Sequence, residues 1–327
     1  MQAILLSGGF GTRMRPLTYT TPKPLLPLLN KPLIEHIIDS LPDQVDDVIL
    51  AANYKIDMLR EHFQDLELDL DVHVEDEPEP LGTAGAVKNV ENYIEDTFFV
   101  INSDIISSLD FEAFLRFYER KQGIGAISAW EVEDPTEFGV MDIDDHSRIK
   151  MFQEKPSLEE ASSNTINAGH YILEPEVLET IPEGKKVSME REIFPRLIKD
   201  GLFGYEFKGY WIDCGRPSSL FEAQRILFDR RSEKKLIGEN SVVKGSLGDH
   251  VTIGEGCTIG VSEINESIVF DGVEIGDDCT INNSIIGYDA VIEDEVVIRN
   301  SIVSDDLYIE EDTEIIDEKL QPEDEKI

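Results

Sequence analysis

Hydrophobic and polar positions follow two regimes along this chain. From Gln2 to about Asp104, short apolar runs fit for full burial alternate with segments whose apolar residues recur at helical spacing. Ala3-Ile4-Leu5-Leu6, DDVILAAN, LDLDVHV and TFFVIN read as strands, with PLIEHIIDSL, KIDMLREHF and TAGAVKNVENYI as the helices between them. This alternation predicts a mainly parallel, doubly wound α/β domain (Rossmann-like), in which ligands gather beyond the carboxyl ends of the strands. After a further helix at DFEAFLRFYERKQ come the strands IGAISAWEV, FGVMDID, IKMFQE and NAGHYIL. SMEREIFPRLIKDG reads as a helix capped by Ser188. Arg191 stands where a capping box wants Glu or Gln, and Pro195 is placed to kink the helix. FGYEFKGYWIDCGRP is strand-like again.

From Ile237 onward the period changes to six. Aliphatic residues form registered triples: Leu247, Ile253, Ile259; Val269, Ile275, Ile281; Ile286, Ile292, Ile298; Val303, Ile309, Ile315. Gly follows several of them, as at Gly254, Gly260, Gly276 and Gly287. The pattern predicts a hexapeptide-repeat, left-handed parallel β-helix, each triple giving the three inward corners of one coil and stacked coils sharing a core. The expected domains are therefore residues 1–232 and residues 233–327, the second ending in the acidic tail PEDEKI.

Candidate chemistry begins where the first strand empties into Ser7-Gly8-Gly9-Phe10-Gly11-Thr12. Three glycines in four positions let backbone N–H groups turn inward as an anion-binding nest, and polyphosphate is the expected guest. A P-loop would need Gly-Lys-Ser/Thr at its end, but Thr12 and Arg13 follow Gly11. A dinucleotide fingerprint would need a glycine at Met14, and the prolines at 16, 22, 24 and 27 oppose the helix it requires. What remains is a glycine loop with fixed cations, Arg13 and Arg15, followed by Lys23 between Pro22 and Pro24, whose backbone the prolines hold extended. Asp104, directly after a buried strand, suits a Mg²⁺ ligand shared with phosphate oxygens; the plainer reading is a capping Asp. Asp213, from a remote segment, offers a second carboxylate. Glu154 and Lys155 set a hydroxyl acceptor beside a phosphate-binding cation, although neighbouring Glu and Lys also occur on any surface.

Composition narrows the partners. Sixty-eight acidic against 29 basic residues give a formal net charge of −39 over 327 residues, which excludes nucleic acid as an expected partner. Acidity spread at this density self-repels at low ionic strength and suggests a protein that works in concentrated salt; an ordinary acidic enzyme is the alternative. Cys214, Cys257 and Cys279 lie far apart without C-x-x-C spacing, which argues against zinc and for a reducing compartment. No segment is long and apolar enough to span a bilayer, and no basic region precedes the first apolar run, so a cytoplasmic enzyme without signal peptide is expected.

GGFGTRMRPLTYTTPKP resembles the signature loop of the sugar-phosphate nucleotidylyltransferases, and the resemblance extends over nearly the whole chain. PLGTAGA, VINSD, FQEKP, INAG and WIDCGRP each resemble family motifs, and Asn-Ser-Asp at residues 102–104 looks more like the guanylyl branch, the mannose-1-phosphate guanylyltransferases. The family likeness implies Mg²⁺ on Asp104 and Asp213. It implies nucleotide binding by Leu6, Gly8, Gly9, Gly11, Thr12 and Arg13, with Gly82 and Thr83 at the base. It implies sugar-phosphate binding by Gly139, Glu154, Lys155 and Asn167, and catalytic roles for Arg13 and Lys23. The implied reaction joins a nucleoside triphosphate to a sugar 1-phosphate and releases pyrophosphate. GTP with mannose 1-phosphate leads, and UTP or dTTP with glucose 1-phosphate follows. A non-catalytic, nucleotide-sugar-sensing subunit is the rival from another class; the intact charged set opposes it. The β-helix could instead be an acyltransferase module, but with His250 alone as a base and few coils it is expected to join subunits of a homo-oligomer or to carry a regulatory surface.

Overall fold

The computed structural model describes residues 1–64, 66–77 and 79–321; Pro78 and the acidic tail PEDEKI lie outside the described residues. Two compact units are formed. The first comprises Met1–Gly9 and Ile34–Trp211, the second Phe10–Leu33 and Ile212–Ile327.

The first unit is built on one mixed sheet. Its parallel half runs Phe98–Asn102, Gln2–Leu6, Asp47–Ala52, Asp71–Asp76, in that spatial order. Ile4, Leu5, Val48, Ile49, Leu50 and Phe98 to Ile101 are wholly buried, as expected of strands covered on both faces, each such side chain contributing about 1.5–3 kcal/mol by leaving water. The helices Leu33–Ile38, Ile56–Gln64 and Gly82–Asn89 lie where the pattern places them, the last ending earlier than expected before a short 3₁₀ turn at Glu91–Tyr93. The other half of the sheet is mostly antiparallel: Thr165–Leu173 pairs with Phe98–Asn102, Gly125–Glu131 and Gly139–Ile143, and Gly139–Ile143 pairs with Ile149–Glu154, while Leu202–Glu206 runs parallel to Gly125–Glu131.

The expected helix over 188–201 is three pieces: a π-helical turn at Met189–Ile193, an α turn at Phe194–Leu197 and a 3₁₀ turn at Ile198–Asp200. Ser188 Oγ does accept the Arg191 N–H at 3.2 Å, but Glu192, not residue 191, returns the bond by accepting the Ser188 N–H at 3.2 Å. The wider first turn shifts the reciprocal carboxylate one residue along, which explains the imperfect capping box.

In the second unit three parallel sheets wind as a β-helix, the arrangement expected of a left-handed hexapeptide coil. Ile253, Val269, Ile286 and Val303 stack in register on one sheet; Ile259, Ile275, Ile292 and Ile309 on the next; Ile264, Ile281, Ile298 and Ile315 on the third. The triples thus lie on the three inner faces and not at corners. The corners are formed by residues with positive φ, among them Asp278, Asn283, Asp289, Asn300, Asp306 and Asp317, types whose short polar side chains tolerate the left-handed region. Ile264, outside the sixfold triples, is buried and stacks between Leu247 and Ile281. The period drops to five between one turn and the next, as between Ile281 and Ile286, and it does so on both sides of Ile264, from Ile259 and to Val269. Inside one edge, Ser267 and Ser284 Oγ accept the N–H of Ser284 and Ser301, so buried backbone donors are satisfied coil by coil.

Helix Pro217–Arg231 belongs to this unit. Its buried Gln224 donates to the His250 carbonyl at 2.8 Å and accepts from the Thr252 hydroxyl at 2.5 Å, which joins the helix to a coil. Among the described residues no helix is long and apolar enough to cross a membrane.

Candidate nucleotide and sugar-phosphate site

Because Gln2–Leu6 is parallel to Phe98–Asn102 with Leu6 opposite Asn102, both strands end at one level. Gly8-Gly9 and Asp104 therefore emerge at a common sheet edge. There a cavity of about 310 Å³ is lined by Leu6, Gly8, Gly9, Glu77, Pro80, Gly82, Thr83, Ala86, Asn102, Asp104 and Lys186. Of the residues singled out from the sequence, the structure brings Leu6, Gly8, Gly9, Gly82, Thr83 and Asp104 to this one wall.

The PLGTAGA segment is shaped by an unforeseen neighbour, residues 185–190. Gly82 has φ +71, and a Cβ on it would lie 2.7 Å from the Val187 carbonyl oxygen; one on Gly85 would lie 2.6 Å from that of Lys185. Glycine at both positions lets Val187 O accept the Ala84 N–H at 3.0 Å. The Thr83 hydroxyl donates to Glu190 at 2.7 Å and accepts from the Met189 N–H at 2.9 Å, so it braces the pocket wall.

Glu77 and Lys186 were not singled out from the sequence. Glu77 is 4% exposed, its Oε2 accepts the Leu81 N–H at 3.3 Å, and burial raises its carboxyl above the ordinary range. A Cβ on Gly8 would stand 3.1 Å from Glu77 Oε1, so the glycine loop passes directly over this carboxylate. Only register exposes the relation: Glu77 follows the strand Asp71–Asp76 and reads in sequence as one more acid in EDEPEP.

On the antiparallel half, Gly139 pairs with Glu154 across the strands, and a Cβ at Gly139 would meet Phe152 Cζ at 2.7 Å and Glu154 Oε2 at 3.1 Å. Burial, then the charge of Glu190, raise the Glu154 carboxyl, with Lys155 and Arg191 opposing. Two acids and two bases thus share this end of the first unit. Lys155 itself has φ +50, a left-handed backbone uncommon for a long side chain. The pairing of Thr165–Leu173 shifts between Asn167 and Tyr171. That bulge turns Asn167 so that its Oδ1 accepts the Gly169 N–H at 2.9 Å and its Nδ2 donates to the Tyr171 hydroxyl at 2.9 Å.

The rest of the signature loop lies in the second unit. It is three short 3₁₀ turns, Thr12–Met14, Leu17–Tyr19 and Lys23–Leu25. Lys23 is therefore in a turn and not in the extended backbone expected of it. Pro24 is accommodated because the first turn of a helix leaves its N–H groups without intrahelical partners. Gly11 has φ +61, and a Cβ there would meet Thr18 Cγ2 at 2.8 Å, while the Thr18 hydroxyl donates to the Gly11 carbonyl at 2.8 Å. Arg13 and Asp213 converge against Gly215: a Cβ on that glycine would lie 2.5 Å from an Arg13 guanidinium nitrogen and 2.7 Å from Asp213 Oδ1. Arg15, by contrast, stacks over the Tyr19 ring at 4.8 Å. Cys214, Cys257 and Cys279 are all buried.

The nucleotidyl transferase family model matches residues 2–230, and the model of the GMPPB C-terminal domain matches residues 232–325. A mannose-1-phosphate guanylyltransferase of Arabidopsis thaliana is 36% identical over 318 residues, covering 89% of this chain and 87% of that protein. Among solved structures, HddC from Yersinia pseudotuberculosis complexed with GMP-PN matches at 32% identity and a TM-score of 0.57, covering 68% of this chain and 97% of that one. A putative glucose-1-phosphate thymidylyltransferase from Bacillus anthracis matches at 27% identity and a TM-score of 0.62, covering 68% and 93%.

Proposed function

The chain belongs to the nucleotidyl transferase family and is similar along most of its length to sugar-phosphate nucleotidyltransferases, and from that premise we propose that it joins GTP to mannose 1-phosphate, giving GDP-mannose and pyrophosphate. The observation that carries the choice of base is Glu77, a buried carboxylate in the wall of the cavity that Gly8, Gly82 and Thr83 also line. The Watson–Crick edge of guanine offers two adjacent donors, N1–H and N2–H₂. An ionised carboxylate is acceptor-only with about four lone-pair sites, so it can take both while keeping the Leu81 N–H. Uracil and thymine present one donor flanked by two carbonyls, which the same charge repels. Mannose is supported by the likeness to mannose-1-phosphate guanylyltransferases alone, and glucose 1-phosphate remains the second reading for the sugar.

Two anions must meet in this reaction, so neutralisation and in-line placement are the main tasks. In this reading an oxygen of the sugar phosphate attacks the α-phosphorus and pyrophosphate leaves. Gly8, Gly9, Gly11 and Thr12 offer backbone N–H groups to the triphosphate, which Leu6 flanks, while Arg13 takes the charge growing on the α-phosphate and the departing pyrophosphate. Lys23 and Lys155 meet the approaching phosphates, and Gly139, Glu154 and Asn167 face the sugar hydroxyls. Asp104 and Asp213 supply hard oxygen donors of the kind Mg²⁺ takes alongside phosphate and water, and the bound ion would offset phosphate charge.

The test is pyrophosphate release from a panel of GTP, UTP, dTTP and ATP against mannose and glucose 1-phosphates, repeated with Glu77→Gln. Wild type should prefer GTP, and the variant should lose about 10- to 100-fold in kcat/KM for GTP, the worth of one or two charge-assisted hydrogen bonds. A wild type that uses UTP as well as GTP, or a variant that keeps the GTP preference, rejects the assignment of the base.

A further inference from the structure

The β-helix uses one side chain repeatedly at its turns: an aspartate whose Oδ1 accepts an N–H from the preceding coil. Asp271 serves Glu255, Asp277 serves Val261, Asp294 serves Asp277, and Asp305 serves Tyr288, at 2.6 to 2.9 Å. Three of these are exposed, as a charge at a solvent-facing turn should be. Asp305 is 5% exposed. The turn itself does not require that burial, and desolvating a carboxylate is costly unless further partners complete it. The further partner is Thr20, whose hydroxyl donates to Asp305 Oδ2. The same hydroxyl lies 3.2 Å from the Leu17 carbonyl, but its one proton goes to the charged acceptor, since charge-assisted bonds are about twice as strong as neutral ones.

Thr20 stands between Arg13 and Lys23, on the segment Phe10–Leu33 that belongs to the same compact unit as the β-helix. A second bond fixes the far end of that segment: Asn30 Nδ2 donates to the Ile253 carbonyl at 2.6 Å. Gly287 leaves room for the turn bond itself, as a Cβ there would stand 2.2 Å from Asp305 Oδ1, the oxygen that accepts the Tyr288 N–H.

We propose that Asp305 is a positioning residue for nucleotidyl transfer: through Thr20 it holds the segment that carries Arg13 and Lys23, so a coil of the β-helix acts on the reaction. This rests on the assignment of Arg13 and Lys23 to the phosphates. The full-length chain is compared with Thr20→Val, Thr20→Ser, Asp305→Ala and the Thr20→Val/Asp305→Ala double variant, by amide hydrogen exchange over residues 10–33 and by pyrophosphate release.

Thr20→Val should speed exchange in that segment and lower kcat, each by about tenfold. Exchange over the remaining coils should not change. Thr20→Ser, which keeps the hydroxyl, should restore both values. The double variant should be no worse than the more damaged single one, because one bond is removed only once. Should Asp305→Ala fail to fold, Thr20→Val against Thr20→Ser decides alone. Unchanged exchange in Thr20→Val overturns the tie. Faster exchange with wild-type kcat overturns its catalytic part. A wild type that releases no pyrophosphate from any pair overturns the reading of the reaction, while the exchange result still reports on the tie.

Discussion

At Gly215 the side chain is missing for a reason that belongs to two other residues. The guanidinium of Arg13 and the carboxylate of Asp213 occupy the space a methyl group would take. Gly215→Ala should therefore displace Arg13 and lower kcat in the same direction as Arg13→Ala, with a smaller effect on sugar-phosphate KM in both; steady-state kinetics with each substrate varied checks this. An unaltered turnover in Arg13→Ala rejects its role. Glu77 gives a pH test with a definite sign. Burial raises its carboxyl, so the proton that must leave before guanine can bind is held to higher pH than on an ordinary glutamate. In our reading kcat/KM for GTP should fall as pH drops through that raised value, and Glu77→Gln should remove this limb of the profile. Stability runs the other way: the fold holds this proton more tightly than the unfolded chain, so stability declines as pH rises from the ordinary carboxylate range through the raised value. Glu77→Gln should consequently gain stability at neutral pH while losing activity, which urea unfolding at several pH values would show. In the sequence, Arg13, Lys23, Asp104, Glu154 and Lys155 stood out because their neighbours are glycines, prolines or strand ends. Glu77 did not, because nothing local distinguishes it from Glu75 or Glu79.

Among the elements, those with a strong period were legible and those shaped by a partner were not. The four parallel strands and the β-helix coils are legible as elements, because short buried apolar runs and sixfold repetition are both written in consecutive residues. Strict sixfold spacing misses Ile264, because the interval contracts to five on both sides of it. The helix over 188–201 was read as continuous, although the bonds of Met189 and Glu190 to Thr83, a hundred residues away, accompany a π-helical turn there. For the β-helix the expected consequence of truncation is local. Ile281 is fully buried and in register with Ile264 and Ile298, so Ile281→Ala should cost about 2–5 kcal/mol. Because each coil rests only on its neighbours, hydrogen exchange should rise most in the adjoining coils. An even rise across the whole chain would contradict this.

For the molecule as a whole, the net charge of −39 bears on conditions and not on fold. We expect its melting temperature to climb from dilute buffer to molar salt, where the screening length shrinks to about 3 Å; a flat profile by calorimetry would make this an ordinary acidic enzyme. The sequence by itself determined the two architectures and pointed to candidate chemistry, because strand burial, sixfold repetition and glycine loops are local properties written in consecutive residues, whereas the compact units divide the chain otherwise than at residue 232, with Phe10–Leu33 and Ile212–Ile327 forming one of them. Tertiary structure alone decided that Glu77 underlies Gly8, that Arg13 meets Asp213 at Gly215, that residues 185–190 brace the PLGTAGA wall, and that Thr20 is held by Asp305. Each of these joins residues from distant parts of the chain. Contacts of that kind depend on which strands become neighbours and in what register, and no stretch of consecutive residues carries that information.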